Sequence, residues 1–453
     1  DTDLCFSVRA LGYKVIYNPR AEVIHYEGIT AGTDLSSGMK KYQMINHAKF
    51  VDKWRGVLQE HFYPNVSNIH NAAIRNRSRK NILIIDKLLP WYDKASGSLR
   101  LFNIIKMLKQ LGYFITFIAL NGKGQERYVD ILERMGIEVY ASGSNRMVQS
   151  GMELDLNYIL SLRFYDVVWL SFYDVAEACL DIIKRISPKS FIIIDTVDIH
   201  YLREMRMAEI HDNKDLYERA IQTKNRELNI YSKADLIITV TSEDSKVLKR
   251  ENPYFTIVEI PNIHDNLLNT NSYESRKDLL FIGNFNHIPN IDAINYFVGE
   301  VWPLVKEKIP DLKFYIVGNR SDEIIKLNDE DIIVTGYVPD TQPFLQSCRV
   351  AVVPLRYGAG MKGKIGEAMS SGIPVVTTTI GAEGMNLENG RHVLIADDKY
   401  NFAEHIVKLY YDSNLWNTLV ENSKKHIQVN YSSEAVMKKL KNLFDNNVFS
   451  HEK

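Results

Sequence analysis

The chain has 453 residues, 45% of them hydrophobic, with 55 basic and 56 acidic side chains and a formal net charge of −1. That length predicts two or three domains, and the even charge balance excludes a general attraction to polyanions, so nucleic acid is not expected as a partner. Cys5, Cys179 and Cys348 are widely separated and show no metal spacing, which fits a reducing compartment, and no apolar run approaches the roughly twenty residues needed to span a bilayer.

Residues 1–28, DTDLCFSVRALGYKVIYNPRAEVIHYEG, predict a helix over Leu4–Leu11, stopped by Gly12, then a strand over Lys14–Tyr17. The sequence opens at Asp1 in the middle of what reads as a motif, so a fragment of something longer is expected. Residues 29–80 are polar, with a helix expected between Met39 and Glu60 carrying Phe50 and Trp54. They end on the basic run Arg75–Lys80, a connector whose charges are either solvated or meet an acidic membrane surface.

From Asn81 the pattern changes. Asn81–Ile85, Phe114–Ala119, Ile137–Tyr140, Val167–Leu170, Phe191–Asp195, Leu236–Val240 and Ile257–Ile260 are short apolar runs. Helical segments such as Ser98–Leu111 and Gln125–Met135 lie between them. This alternation predicts a doubly wound parallel sheet, whose ligands sit beyond the carboxyl ends of the strands. Candidate loops are therefore DKASGS, with Ser96 and Gly97, and DTVDIH, with Asp198 and His200. His200 reads equally well as a ligand-facing or a structural histidine, and Asp198 either orients it or caps a turn. Glu227, in a long polar helix, is expected to be exposed.

Pro261–Lys277, rich in Asn and Ser, reads as a linker. A second alternating set follows, with strands at Leu279–Ile282, Phe314–Val317, Ile332–Val334, Ala351–Val353, Val375–Thr377 and His392–Ile395. Helices at Asn401–Tyr411 and Ser433–Phe444 close the chain.

Chemistry concentrates in Val350–Gly384, VAVVPLRYGAGMKGKIGEAMSSGIPVVTTTIGAEG. A buried strand ends at Pro354. Gly358, Gly360 and Gly363 then give a loop able to approach a ligand closely, and Ile365, Ala368 and Met369 mark the apolar face of a helix. Strand, glycine loop and helix start make an anion site, which would meet Lys362 or Lys364. Lys364 and Glu367 share a helix face, offering one cation for a phosphate and one carboxylate for sugar hydroxyls.

This stretch resembles the donor-binding signature of family-4 glycosyltransferases, retaining enzymes of the two-Rossmann-domain GT-B fold. The resemblance implies that the loop amides (Gly358, Gly360, Met361, Lys362 and Gly363) and Lys364 hold the donor diphosphate, and that Glu367 binds the ribose. Many relatives carry a second, sugar-contacting glutamate eight positions earlier, where this chain has Ala359. They often carry an arginine in the loop after Gly283, where Asn284, Asn286 and His287 stand here. Arg356 is then the candidate for a second phosphate cation, and Val338, in GYVP, for bracketing the nucleotide base. The resemblance further implies that Ser96 and Gly97 lie close to donor and acceptor, that His200 sits near the transferring sugar, and that the last helix crosses back to the first domain. Residues 1–28 resemble the closing part of a family-2 glycosyltransferase of the GT-A fold. There Asp1 and Asp3 would fall in the acidic motif and His25 would approach a metal, in a remnant expected to be inactive.

The expected architecture is α/β throughout: a GT-A remnant over 1–30, a connector over 31–79, an acceptor domain over 80–262 and a linker over 263–277. A donor domain over 278–430 and a returning helix over 431–453 complete it. The expected activity is sugar transfer from a nucleotide-diphosphate sugar to a glycan or lipid-linked acceptor, with retention and with no metal or other cofactor in the GT-B site. A cytoplasmic protein is implied, with peripheral association at the inner membrane face. Two alternatives stay open: a non-catalytic nucleotide-sugar-binding or scaffolding module, and a sugar-nucleotide epimerase of related architecture.

Overall fold

The computed structural model describes residues 2–16, 21–24, 41–121, 126–141, 154–268, 270–319 and 322–448. They fall into two compact units, Asp1–Lys80 and Asn81–Lys453. In the first, the helix Thr2–Ala10 forms where the sequence places one. Its Phe6 ring packs on Phe50 at 5.1 Å and on Trp54 at 5.4 Å. The helix expected across 39–60 is two helices, Lys41–Lys53 and Arg55–Glu60, broken at Trp54.

The strand expected over Lys14–Tyr17 does not form in its described part, 14–16, which pairs with no strand among the described residues. Asp3 is committed to structure: its carboxylate accepts from Lys53 Nζ at 2.9 Å and from Trp54 Nε1 at 2.6 Å. Those bonds, the one to Trp54 foremost, hold its pKa below the ordinary value. Asp1 and His25 lie outside the described residues. Among the described residues nothing in this unit supports the reading of a GT-A remnant.

The second unit holds two parallel sheets. Strands β1 (Asn81–Asp86), β2 (Phe114–Ala119), β3 (Glu138–Tyr140), β4 (Val167–Ser171), β5 (Phe191–Asp195), β6 (Leu236–Thr239) and β7 (Ile257–Glu259) build the first, in the order β3-β2-β1-β4-β5-β6-β7. Strands β8 (Lys277–Ile282), β9 (Phe314–Val317), β10 (Ile332–Gly336), β11 (Cys348–Val353), β12 (Val375–Thr377) and β13 (Leu394–Ile395) build the second, in the order β10-β9-β8-β11-β12-β13. Helices cover both faces, so the central strands are mostly apolar, and every residue of β2 and β4 is buried.

Two buried arginines pin the crossing between the sheets. Arg100 pairs with Asp195 at 2.7 Å, both side chains 1% exposed, and donates from Nε and Nη2 to the Ile260 carbonyl. Arg276 donates to the carbonyls of Asn271, Leu345, Cys348 and Ser371. The stretch read as a linker is thus irregular over its described residues between Pro261 and Ser272 but anchored at both ends, because a buried guanidinium needs several acceptors to replace water. From the last helix, Ser433–Leu443, the side chains Val436, Leu440 and Leu443 enter the core of the first sheet.

Candidate active site

In the second sheet the winding reverses between β8 and β11, so the loops that follow them diverge and leave a crevice at the strands' carboxyl ends. One of these loops begins at Gly283, the other runs from Pro354 to Lys362. In the second, Gly358 has φ 150 and Gly360 φ 67, backbone that L side chains rarely adopt, and the chain enters the helix Gly363–Ser370. Lys364 bridges the crevice. Its Nζ donates to Asn290 Oδ1 at 2.5 Å and stands 4.1 Å from the centre of the Phe281 ring. Asn290 in turn donates to the Asn284 carbonyl at 2.8 Å. Burial, assisted by the neighbouring Lys362 ammonium, pushes the Lys364 pKa down to about 7. One turn along, the Glu367 carboxylate accepts the Thr341 hydroxyl at 2.9 Å, and burial raises its pKa.

Lys362 turns inward, donating to the Gly360 carbonyl at 2.7 Å and lying 3.6 Å from Glu383. Glu383 receives Arg206 through both of its oxygens, at 2.6 and 2.7 Å, and Arg206 also donates to the Gly358 carbonyl at 2.5 Å. Arg206 belongs to the helix His200–Ile210 beside the first sheet, so this network ties the glycine loop to the opposite half.

The loops of the first sheet come to the same place. A Cβ added at Gly363 would fall 2.2 Å from Ser96 Oγ, and one at Gly360 would fall 3.2 Å from Asp198 Cβ. One at Gly97 would fall 3.1 Å from Val197 Cγ1. Between Thr196 and Asp198 the chain makes a three-residue turn: the Asp198 amide donates to the Thr196 carbonyl at 2.7 Å, with Val197 at φ 60. A β-branched residue in that region is strained, and such strain gathers at functional sites. The turn sets Asp198 between two donors, His200 Nε2 at 3.0 Å and the Arg203 guanidinium. The His200 ring packs edge-on against Tyr173 at 5.2 Å.

Glu227 is not exposed as expected. It is fully buried and accepts the amides of His200 and Tyr201 at 3.1 and 3.0 Å, capping the helix that carries His200. Burial raises its pKa to about 7.

The structure therefore brings together Ser96, Gly97, Asp198, Gly358, Gly360, Met361, Lys362, Gly363 and Lys364, with His200 joined through Asp198. Gly283 and Asn284 stand behind Lys364, and Glu367 follows it by one turn. Arg356 is drawn elsewhere: it forms a two-point ion pair with Asp292 and covers the Tyr296 ring. Val338 packs at the edge of the core, three residues before Thr341. The residues sequence reasoning missed are Asn290, Thr341, Arg203, Arg206 and Glu383. Arg203 and Arg206 carried a signal, lying three apart directly after the candidate His200, and Glu383 sits in the GAEG that ends the motif.

Residues 276–412 match the model of "Glycosyl transferases group 1". The chain is 30% identical over 169 residues to an uncharacterized 44.6 kDa protein in the cps region of Klebsiella pneumoniae, covering 35% of this chain and 44% of that protein. It is 22% identical over 193 residues to the capsular polysaccharide biosynthesis glycosyltransferase CapM of Staphylococcus aureus, covering 40% and 50%. The matched segment thus spans about half the length of these relatives. Among solved structures, a point mutant of Staphylococcus aureus TarM in complex with fondaparinux, alpha-GlcNAc-glycerol and UDP superposes with a TM-score of 0.61 at 13% identity, over 81% of this chain and 99% of that one. The chain has the GT-B fold of two Rossmann-like sheets, and over residues 276–412 it carries the signature of the group 1 glycosyl transferases.

Proposed function

We propose that the unit built on β1 to β13 is a retaining glycosyltransferase of family 4. It moves a sugar from a UDP-sugar to a glycan or lipid-linked saccharide in the assembly of capsular or other cell-surface polysaccharide. The observation that carries this reading is Lys364, a half-buried lysine at a helix start that reaches across the crevice between β8 and β11 to Asn290. UDP is favoured because TarM, which shares the fold, was solved with it.

In this reading the half with β8 to β13 takes the donor. Lys364, the amides around Gly360 to Gly363 and the helix dipole meet the diphosphate, and Glu367 accepts the ribose hydroxyls. The half with β1 to β7 presents the acceptor near His200, Ser96 and Gly97. The bond between the sugar's anomeric carbon and the diphosphate oxygen breaks. The acceptor oxygen bonds to that carbon on the same face, and its proton passes to the departing diphosphate. The meeting of loops from both halves excludes water that would otherwise hydrolyse the donor.

Among the described residues no helix is long and apolar enough to cross a membrane. The test is incubation with UDP-glucose or UDP-N-acetylglucosamine and an oligosaccharide or lipid-linked acceptor, following UDP release and the product's anomeric configuration by NMR. An α-linked product from an α-linked donor is expected. An inverted product, or no transfer from any nucleotide sugar, would overturn the reading.

A further inference from the structure

We propose that Arg203 is the second cation for the donor diphosphate, supplied across the crevice from the half opposite Lys364. The inference rests on the donor site proposed above. A diphosphate presents two charged groups and gains charge as it leaves, whereas Lys364 is a single ammonium. The other nearby cations are spent on structure. Lys362, 7% exposed, is turned to the Gly360 carbonyl and Glu383. Arg206 is held by Glu383 and the Gly358 carbonyl, and Arg356 is turned away to Asp292.

Arg203 differs in placement and in partner. It sits one turn before Arg206 on the same face of the helix His200–Ile210, the face that reaches the glycine loop. Its guanidinium is bonded to Asp198, and Asp198 stands against Gly360, a Cβ at that glycine lying 3.2 Å from Asp198 Cβ. Burial first, and then the charges of Arg203, Lys364 and Lys362, depress the pKa of His287 to about 4, so all three cations act on the same stretch of the crevice. Asp198 thus acts as a stand-in anion. It holds Arg203 beside the loop, and it keeps His200 as its second donor when the guanidinium turns to the donor. A planar guanidinium suits this exchange, because its fork matches a phosphate as well as a carboxylate.

The test is calorimetric titration of wild type, Arg203→Gln and Arg203→Met with UDP, UMP and uridine, each variant first checked for the wild-type melting transition. Methionine keeps more of the side chain's packing, so it serves if glutamine unfolds the helix. The expected result is a loss of about tenfold or more in UDP affinity and about threefold or less for UMP, with uridine unchanged. Arg203→Lys, keeping charge but not the fork, should fall between. UDP affinity within twofold of wild type in a folded variant overturns the role of Arg203 alone. Wild-type protein that binds no uridine nucleotide overturns the donor site as well.

Discussion

Raising the pH should loosen UDP from this protein, and the slope should belong to Lys364. Its pKa is depressed to about 7, first by burial and then by Lys362, so the free site holds roughly half its ammonium at about pH 7 and roughly a tenth at about pH 8. Binding a diphosphate requires the charged form, so the site must take up a proton. The dissociation constant should rise about fivefold over that interval, near 1 kcal/mol. UDP itself gains negative charge as its last phosphate ionisation, near pKa 6, completes, which could only tighten binding, so the predicted loosening cannot come from the ligand. Calorimetry at the two pH values, repeated in buffers of different ionisation enthalpy, gives both the affinity and the proton uptake. Lys364→Arg, charged throughout, should abolish the loosening even if it binds less well. Affinity in the wild type that is flat or rises between these pH values would refute the placement of Lys364 on the diphosphate.

Other consequences follow from the same contacts. Glu227→Ala strips two buried helix-start amides of their acceptor and should cost about 2–4 kcal/mol in urea unfolding; a loss below about 1 kcal/mol would contradict its role as a cap. The folded pKa of Glu227 lies above its unfolded value, so its contribution is fully present below about pH 4.5 and lost as the pH rises through about 7. The stability of Glu227→Gln relative to wild type should therefore climb by up to about 3 kcal/mol across that window, and a constant difference would refute the burial account. Gly366→Ala would set a Cβ 2.4 Å from the His264 ring and should cost about 1–3 kcal/mol by thermal or urea denaturation; a neutral result would mean that the ring moves freely. Arg206→Ala should release the Gly358 carbonyl and Glu383, raising the donor KM more than it lowers kcat. An unchanged KM would show that the tether does not shape the loop.

The strands were legible because a parallel strand covered on both faces is a short unbroken apolar run, and β1, β2, β4 and β5 read that way. The glycine loop was legible too, since three glycines between an apolar run and an amphipathic helix leave few other structures. Lys14–Tyr17 looked like a strand, yet 14–16 pair with no strand among the described residues, and pairing is not local information. The helix Ser413–Asn430 escaped notice because SNLWNTLVENSKKHIQVN is polar over most of its surface, with Trp416, Leu419 and Ile427 on one buried stripe. Glu227 misled for a similar reason: its neighbours in sequence are polar, while its burial is decided by the start of a helix 27 residues away. The Arg206–Glu383 tether joins residues 177 apart, and only the meeting of the two halves creates it.

The central claim, that the loop between β11 and the helix Gly363–Ser370 holds a nucleotide diphosphate, is tested most directly by calorimetric titration of wild type and Lys364→Ala with UDP, GDP and dTDP. The account predicts that UDP binds the wild type and that the variant loses at least about tenfold of that affinity. Failure of all three nucleotides to bind, or equal binding of UDP by the variant, would contradict it.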